Sequence, residues 1–417
     1  MEPRTRMTPS SPAPGALAVP PDAGRATARE AALAAALRIA REWAGERAQA
    51  MVLSGSHAAG HGVWCTLDGR ELTLSDLDVY VAMPDETACR EARARARAGH
   101  SGLAARLLDA GVAAPLEVGF LTRTGFAHMP ARPGVLELAR RGRVVFGDRD
   151  VLAAVPRWTA HDVPREETLL LLENRGFELL LAWEGLTSAR PLARYQACHG
   201  LRKASADLAT VLALAEGELP ADTASRIAWA SRHAMARLGS LPLEQQAAPG
   251  AFEALWSAAL AWSHGGAEPP APATLAAEWH AAVRAWCAVW WALHGEGPRE
   301  PWARALRVAA RAPMRRRARQ ALLAASRGGA TAPLGSRLRA ALAGTPQHRV
   351  NGSAAVLLLA AAMSPPPPAR PGLPVGALRA LRALDVTPAG GWPEAMRDVT
   401  RAWDLWILDG QRTTEDV

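Results

Sequence analysis

The chain has 417 residues, of which 49% are hydrophobic and 21% charged. That balance is globular and excludes collagen-like, disulfide-stapled and mainly disordered chains, and at roughly 150 residues per domain the length suggests two or three domains. The net charge of +8 is local: residues 301–350 hold eleven Arg and no Lys, Asp or Glu, while the rest carries 37 basic side chains against 40 acidic ones, so overall basicity is no argument for nucleic-acid binding.

Residues 1–25, rich in Pro, Ala, Ser and Gly, read as a disordered tail. Pro12, Pro14, Pro20 and Pro21 break any apolar run there, so no signal peptide is expected. Ala-rich helical sequence runs from near Thr27 to about Arg47. Gln49–Ser54 reads as a short buried strand, and Val63–Leu74 as a hairpin around Asp68-Gly69. Ser75–Met83 reads as another strand, residues 86–110 as one charged helix, Leu116–Thr122 as a third strand and Val144–Phe146 as a short fourth.

Beyond Pro156 the signals are helical: Thr168–Trp183, Arg194–Ala215, Ala221–Leu238, Ala251–Ser263, Thr274–His294, Trp302–Ser326 (kinked or broken at Pro313) and Leu334–Ala343. A last helix pair ends near Trp406. The expected fold is α+β. A small mixed-sheet domain spans 26–156, a larger all-helical domain 157–363, a Pro-rich linker 364–374 and C-terminal helices 375–417. The longest apolar run, Ala354–Met363, has ten residues, short of the roughly 20 a membrane span needs. Cys65, Cys89, Cys198 and Cys287 form neither a CxxC pair nor a disulfide framework, which points to a reducing, cytoplasmic compartment.

The segment Leu74-Ser-Asp-Leu-Asp-Val-Tyr-Val81 is the most informative. Strand alternation puts Asp76 and Asp78 on one face and Leu77 and Val79 on the other. Two neighbouring carboxylates repel, so one keeps its proton unless a cation neutralises them. A hard dication with oxygen ligands, Mg²⁺ first, is the natural partner. Upstream, Gly55-Ser56 ends a strand and enters a short helix, a place where a phosphate can dock on backbone N–H groups. Glu117, inside an apolar strand, is the best third carboxylate for a two-metal site, with Glu137 and Asp148 as rivals.

Gly55-Ser56, then Asp76-Leu77-Asp78, then Glu117 on a later strand resembles the DNA polymerase β-like nucleotidyltransferase superfamily, well over residues 50–122 and more loosely to about 225. The resemblance implies metal-dependent transfer of NMP, AMP from ATP in the usual case, to an acceptor hydroxyl. It implies Asp76, Asp78 and Glu117 as metal ligands for two Mg²⁺ ions, with Mn²⁺ as the alternative. Gly55, Ser56 and the adjoining Ser75 would bind the nucleotide. The acceptor, whether small molecule, protein or RNA, and the oligomeric state are not legible. Nineteen residues separate Ser56 from Asp76, more than in small members, and the hairpin accounts for the excess; it is expected to sit over the site. The competing function is an antitoxin-like or regulatory binding protein that keeps the fold.

Lys203 is the single lysine among 48 basic residues. It shares an i, i+4 stripe with Tyr195, His199 and Asp207. Relatives often place a helical-domain Lys on the triphosphate, and a compact ammonium suits a phosphate oxygen. The plain alternative is a surface Lys paired with Asp207. Arg194 and His199 match the Arg-x4-His spacing of a family of helical ribonuclease toxins, against which stands an ordinary helical His. His57 and His61 read as loop histidines, and Trp279, Trp286 and Trp290 as core. The Arg304–Arg319 run reads as a solvated face before it reads as an RNA site.

Overall fold

A computed structural model describes residues 23–403, except 187, 243–245, 249, 264–267, 296–299, 310–345, 364–371, 385 and 387–390. Helix α1 (Ala23–Ala44) leads into β1 (Ala50–Ser54), the helical turn α2 (Gly55–Ala58), the hairpin β2 (Trp64–Leu67) and β3 (Arg70–Thr73), and then β4 (Leu77–Met83). Next come α3 (Glu86–Ala98), α4 (Leu103–Asp109), β5 (Leu116–Thr122), α5 (Arg123–Ala127), α6 (Pro133–Arg141) and β6 (Arg143–Gly147). The strands form a mixed sheet in the order β5-β4-β1-β6, with β4 and β5 parallel and β1 antiparallel to both its neighbours.

Period-two alternation decides which side of this sheet is dry. Met51, Leu53, Leu77, Val79, Val81, Leu116 and Phe120 pack with α1 and α3 into one core. On the opposite face Ala50, Val52 and Ala82 are covered by Phe126, Met129, Val135 and Leu138. That cover belongs to one end of the face only, and Asp78 and Glu117 lie at the other end.

The expected helix over 86–110 is two helices. Asp85 caps the first by accepting from Ala88 N at 2.8 Å, and Gly102, at φ 74°, starts the second. A side chain at Gly99 would meet Trp43 Nε1 at 2.6 Å, so the chain turns there against α1.

The remaining helices are α7 (Arg165–Leu186), α8 (Pro191–Ala215), α9 (Thr223–His233), α10 (Met235–Gly239), α11 (Ala251–Ser263), α12 (Pro272–His294), α13 (Pro301–Ala309), α14 (Pro346–Met363), α15 (Val375–Ala383) and α16 (Trp392–Trp403). The helix expected over 221–238 divides at Ala234. Leu334–Ala343, the 310–326 part of the Trp302 helix and the end at Trp406 lie outside the described residues. Trp279, Trp286 and Trp290 are at most 1% exposed and anchor the helical core. Helix α14 has no apolar stripe because it is buried on nearly every side, from Val350 to Ala361. None of the described helices is long and apolar enough to cross a membrane.

The helical core does not stop at residue 157. Val63, Cys65, Leu72, Leu74 and Ala113 pack into it, whereas Trp64 joins the sheet core. The hairpin is therefore a bridge between the two halves, not a free lid over the acidic face. Its Asp68-Gly69 turn has φ of 50° and 74°, the left-handed pair a two-residue hairpin loop needs.

Packing tolerance is small where helices cross on glycine. A Cβ at Gly176 would stand 2.7 Å from Trp286 Cζ2. Gly176→Ala is expected to cost about 1–3 kcal/mol through overpacking, although alanine suits a helix better. Urea denaturation reads the sign directly: a stabilised variant would show that this crossing has slack.

Candidate active site

Parallel pairing sets the acidic site. Asp78 on β4 is the register partner of Glu117 on β5, and Ser54 on β1 is the register partner of Asp78. Neighbouring strands are about 4.8 Å apart, so the two carboxylates stand side by side on one face. Asp76 lies just before β4 and is half-buried, with its side chain 33% exposed. Gly55 follows β1 at φ 67°, and a Cβ there would stand 2.5 Å from Asp78 Oδ2. Glycine is required at that turn for its backbone angle and for the room it leaves the carboxylate.

Lys203 arrives from α8. Its Nζ donates to Asp76 Oδ2 at 2.6 Å and lies 3.7 Å from Glu178 Oε1. Asp207, the partner in the plain alternative, instead accepts from Arg175 Nε at 2.6 Å, and Arg175 also bonds Glu178. Sequence reasoning did not find Arg175 and Glu178. They sit on α7, and nothing local distinguishes them from any other i, i+3 helical pair.

Five carboxylates (Asp76, Asp78, Glu117, Glu178, Asp207) thus face two fixed cations. Burial, then the neighbouring Asp76, pushes the Asp78 carboxyl above its ordinary range. Burial, then Asp78 and Asp76, lifts Glu117 from 4.5 to about 7, even though the residue as a whole is exposed. Burial also works to raise Asp76, but the Lys203 charge and hydrogen bond outweigh it and hold that carboxyl low. Burial works to lower Lys203; the carboxylates of Glu178 and Asp76 overcome it, even against Arg175, and keep the ammonium charged.

Between 4.5 and about 7, folded protein holds a proton at Glu117 that unfolded chain has released, so the stability this group contributes falls as pH rises through that window. Metal-free protein melted from about pH 5 to about pH 8 is expected to lose stability relative to Glu117→Gln over that window. Parallel curves for the two proteins would remove Glu117 from the acid cluster.

Other sequence candidates occupy different places. Ser75 is 4% exposed and its hydroxyl accepts from Val63 N at 2.9 Å. That hydroxyl is engaged within the fold, where it pins the hairpin. His57 is buried, donates from Nε2 to Ser75 O at 3.2 Å and lies 3.0 Å from Thr73 Oγ1; it braces the turn that carries Gly55 and half-buried Ser56. Glu137 is engaged by Arg226 and Arg141. Asp148 is engaged by Arg123 at 3.0 Å. His199 accepts from Trp262 Nε1 at 3.3 Å. Arg304 is no solvated residue: it is 9% exposed, with its guanidinium 4.2 Å from the Trp291 ring centre. Arg311, Arg315, Arg316, Arg317 and Arg319 lie outside the described residues.

No family model, curated protein or solved structure matches this chain.

Among the described residues, no three His, Cys, Asp or Glu side chains already converge on one point. The donor chemistry nonetheless fits Mg²⁺ or Mn²⁺: adjacent hard-oxygen donors, unneutralised negative charge, and a glycine cradle beneath one of them. Mg²⁺ is commonly held by one or two carboxylates together with phosphate oxygens and water, which does not require a finished protein cage.

Proposed function

We propose that the protein is a metal-dependent nucleotidyltransferase that moves NMP, AMP from ATP in the first instance, to an acceptor hydroxyl. The observation that carries this reading is the meeting of Asp78 and Glu117, in register on parallel strands, with the Gly55 turn, beside an Asp76 that is bonded to a lysine 127 residues further along the chain. A structural salt bridge alone needs neither the crowded carboxylates nor the obligatory glycine.

Asp76, Asp78 and Glu117 would hold the metal, which supplies charge neutralisation at the reacting phosphate. The protein's own groups divide the rest of the work. The Gly55-Ser56 turn offers backbone N–H groups to the phosphates. Lys203 releases Asp76 and balances the charge that grows on departing pyrophosphate. As the acceptor oxygen bonds to the α-phosphorus and the bond to the β-phosphate oxygen breaks, the hydroxyl proton passes to a Glu117 carboxylate oxygen.

Calorimetric titration of ATP with Mg²⁺ tests the reading. Wild-type protein is expected to bind ATP only with the metal present, and Asp76→Ala/Asp78→Ala protein not to bind. If wild type binds none of ATP, GTP, CTP or UTP, the transferase reading fails and a partner-binding role for the fold takes its place.

A further inference from the structure

His199 sits one helical turn before Lys203 on α8, on the stripe that reaches Asp76. One turn earlier again, buried Tyr195 packs with its ring centre 6.3 Å from that of Trp262. Trp262, on α11 and 6% exposed, aims its indole N–H at His199 Nδ1. An indole nitrogen only donates, so Nδ1 must be the acceptor, and the neutral ring carries its proton on Nε2. A second proton, on Nδ1, would set two N–H groups against each other. Among the described residues this is the one side-chain hydrogen bond of His199, and none of them accepts from Nε2–H.

We propose that His199 is a phosphate-binding residue whose Nε2–H, fixed by Trp262, donates to an oxygen of the nucleotide's polyphosphate beside Lys203. This rests on the nucleotidyl-transfer reading of the same site. Several observations favour an anionic ligand oxygen over other partners. The stripe ends in an ammonium bonded to Asp76, and a donor one helical turn before that ammonium adds a second group suited to an anionic oxygen. Burial, then the Lys203 charge, holds the ring's pKa at about 4 despite the pull of Asp76. His199 is thereby a neutral donor throughout the physiological range. It adds directionality without the charge that would compete for Asp76 or repel a metal ion.

The experiment uses full-length protein, with Mg²⁺ present, and two probes, inorganic tripolyphosphate and ATP. Affinities are measured by calorimetry for wild type, His199→Ala, His199→Gln and Trp262→Phe, each first shown to be folded by its melting curve. His199→Ala is expected to weaken both probes about tenfold, the worth of one charge-assisted hydrogen bond. His199→Gln, which keeps an N–H donor, is expected to recover most of that loss. In ¹⁵N-histidine spectra of the wild type, the His199 proton resides on Nε2 and that resonance moves with tripolyphosphate; in Trp262→Phe the tautomer preference relaxes.

A proton found on Nδ1, or undiminished affinity in both His199 variants, overturns the proposal. ATP binding that is lost in Asp76→Ala/Asp78→Ala but indifferent to both His199 variants leaves the transferase reading standing and removes only this inference. Tripolyphosphate binding that depends on His199, with no nucleoside triphosphate bound, keeps the phosphate site and removes the transferase. A wild type that binds neither probe overturns both.

Discussion

Asp78→Asn is expected to lower NMP transfer by about 10²–10³-fold and, in metal-free buffer, to raise the melting temperature by about 2 °C. The two effects have one cause. Asp78 carries a carboxylate that burial and Asp76 both disfavour, and it sits in register beside Glu117. An amide removes that repulsion and with it the anionic oxygen that the proposed metal site would use. A residue kept for folding behaves oppositely, since its removal costs stability. Transfer measured with labelled ATP, and melting curves in EDTA at about pH 8, read the two signs. Lost stability with unchanged transfer would make the acid pair an architectural feature of the sheet and end the enzyme argument.

Lys203→Ala is expected to weaken ATP binding by roughly 10–100-fold and to cost about 1–2 kcal/mol of stability. The stability figure sits below the cost of breaking a fully buried pair because both side chains keep about a third of their exposure, 31% and 33%, and solvent screens them. Double-mutant cycles locate the partner. Lys203 with Asp76 is expected to couple by about 1–2 kcal/mol, more strongly than Lys203 with Asp207, which it reaches only through Glu178 and Arg175. A dominant coupling to Asp207 would return Lys203 to an ordinary helix-surface role. Lys203→Arg is a sharper probe still: the guanidinium keeps the charge but spreads it over a planar fork, so stability should recover further than binding does.

The sheet was legible because its strands alternate cleanly, and its polar face announces itself by placing Asp76, Asp78 and Glu117 where apolar residues would otherwise repeat. Lys203 was legible for a compositional reason: one lysine stands among 47 arginines. Its partner was not. A contact across 127 residues leaves no trace in spacing, and Asp207 at i+4 was the nearer local answer. Arg175, Glu178 and Trp262 share that difficulty, since each enters the site through helix packing. Helix α14 escaped because a segment buried all round shows no period. Arg304 misled in the opposite direction: an arginine-rich run reads as solvated, while Trp291 offers one of its members an aromatic face. Ser75 stands beside Asp76 in sequence, yet the hairpin turns its hydroxyl inward.

The bridge from Asp76 to Lys203 also orders events during synthesis. The acidic strands leave the ribosome first. At about 5–20 residues per second, the 127 residues between the two partners take roughly 6–25 s to follow. Throughout that interval the nascent sheet holds its crowded carboxylates without their cation. Closing the bridge is a long-range event, which topology makes slow. Only a chain whose helical half has docked gives Asp76 its cation.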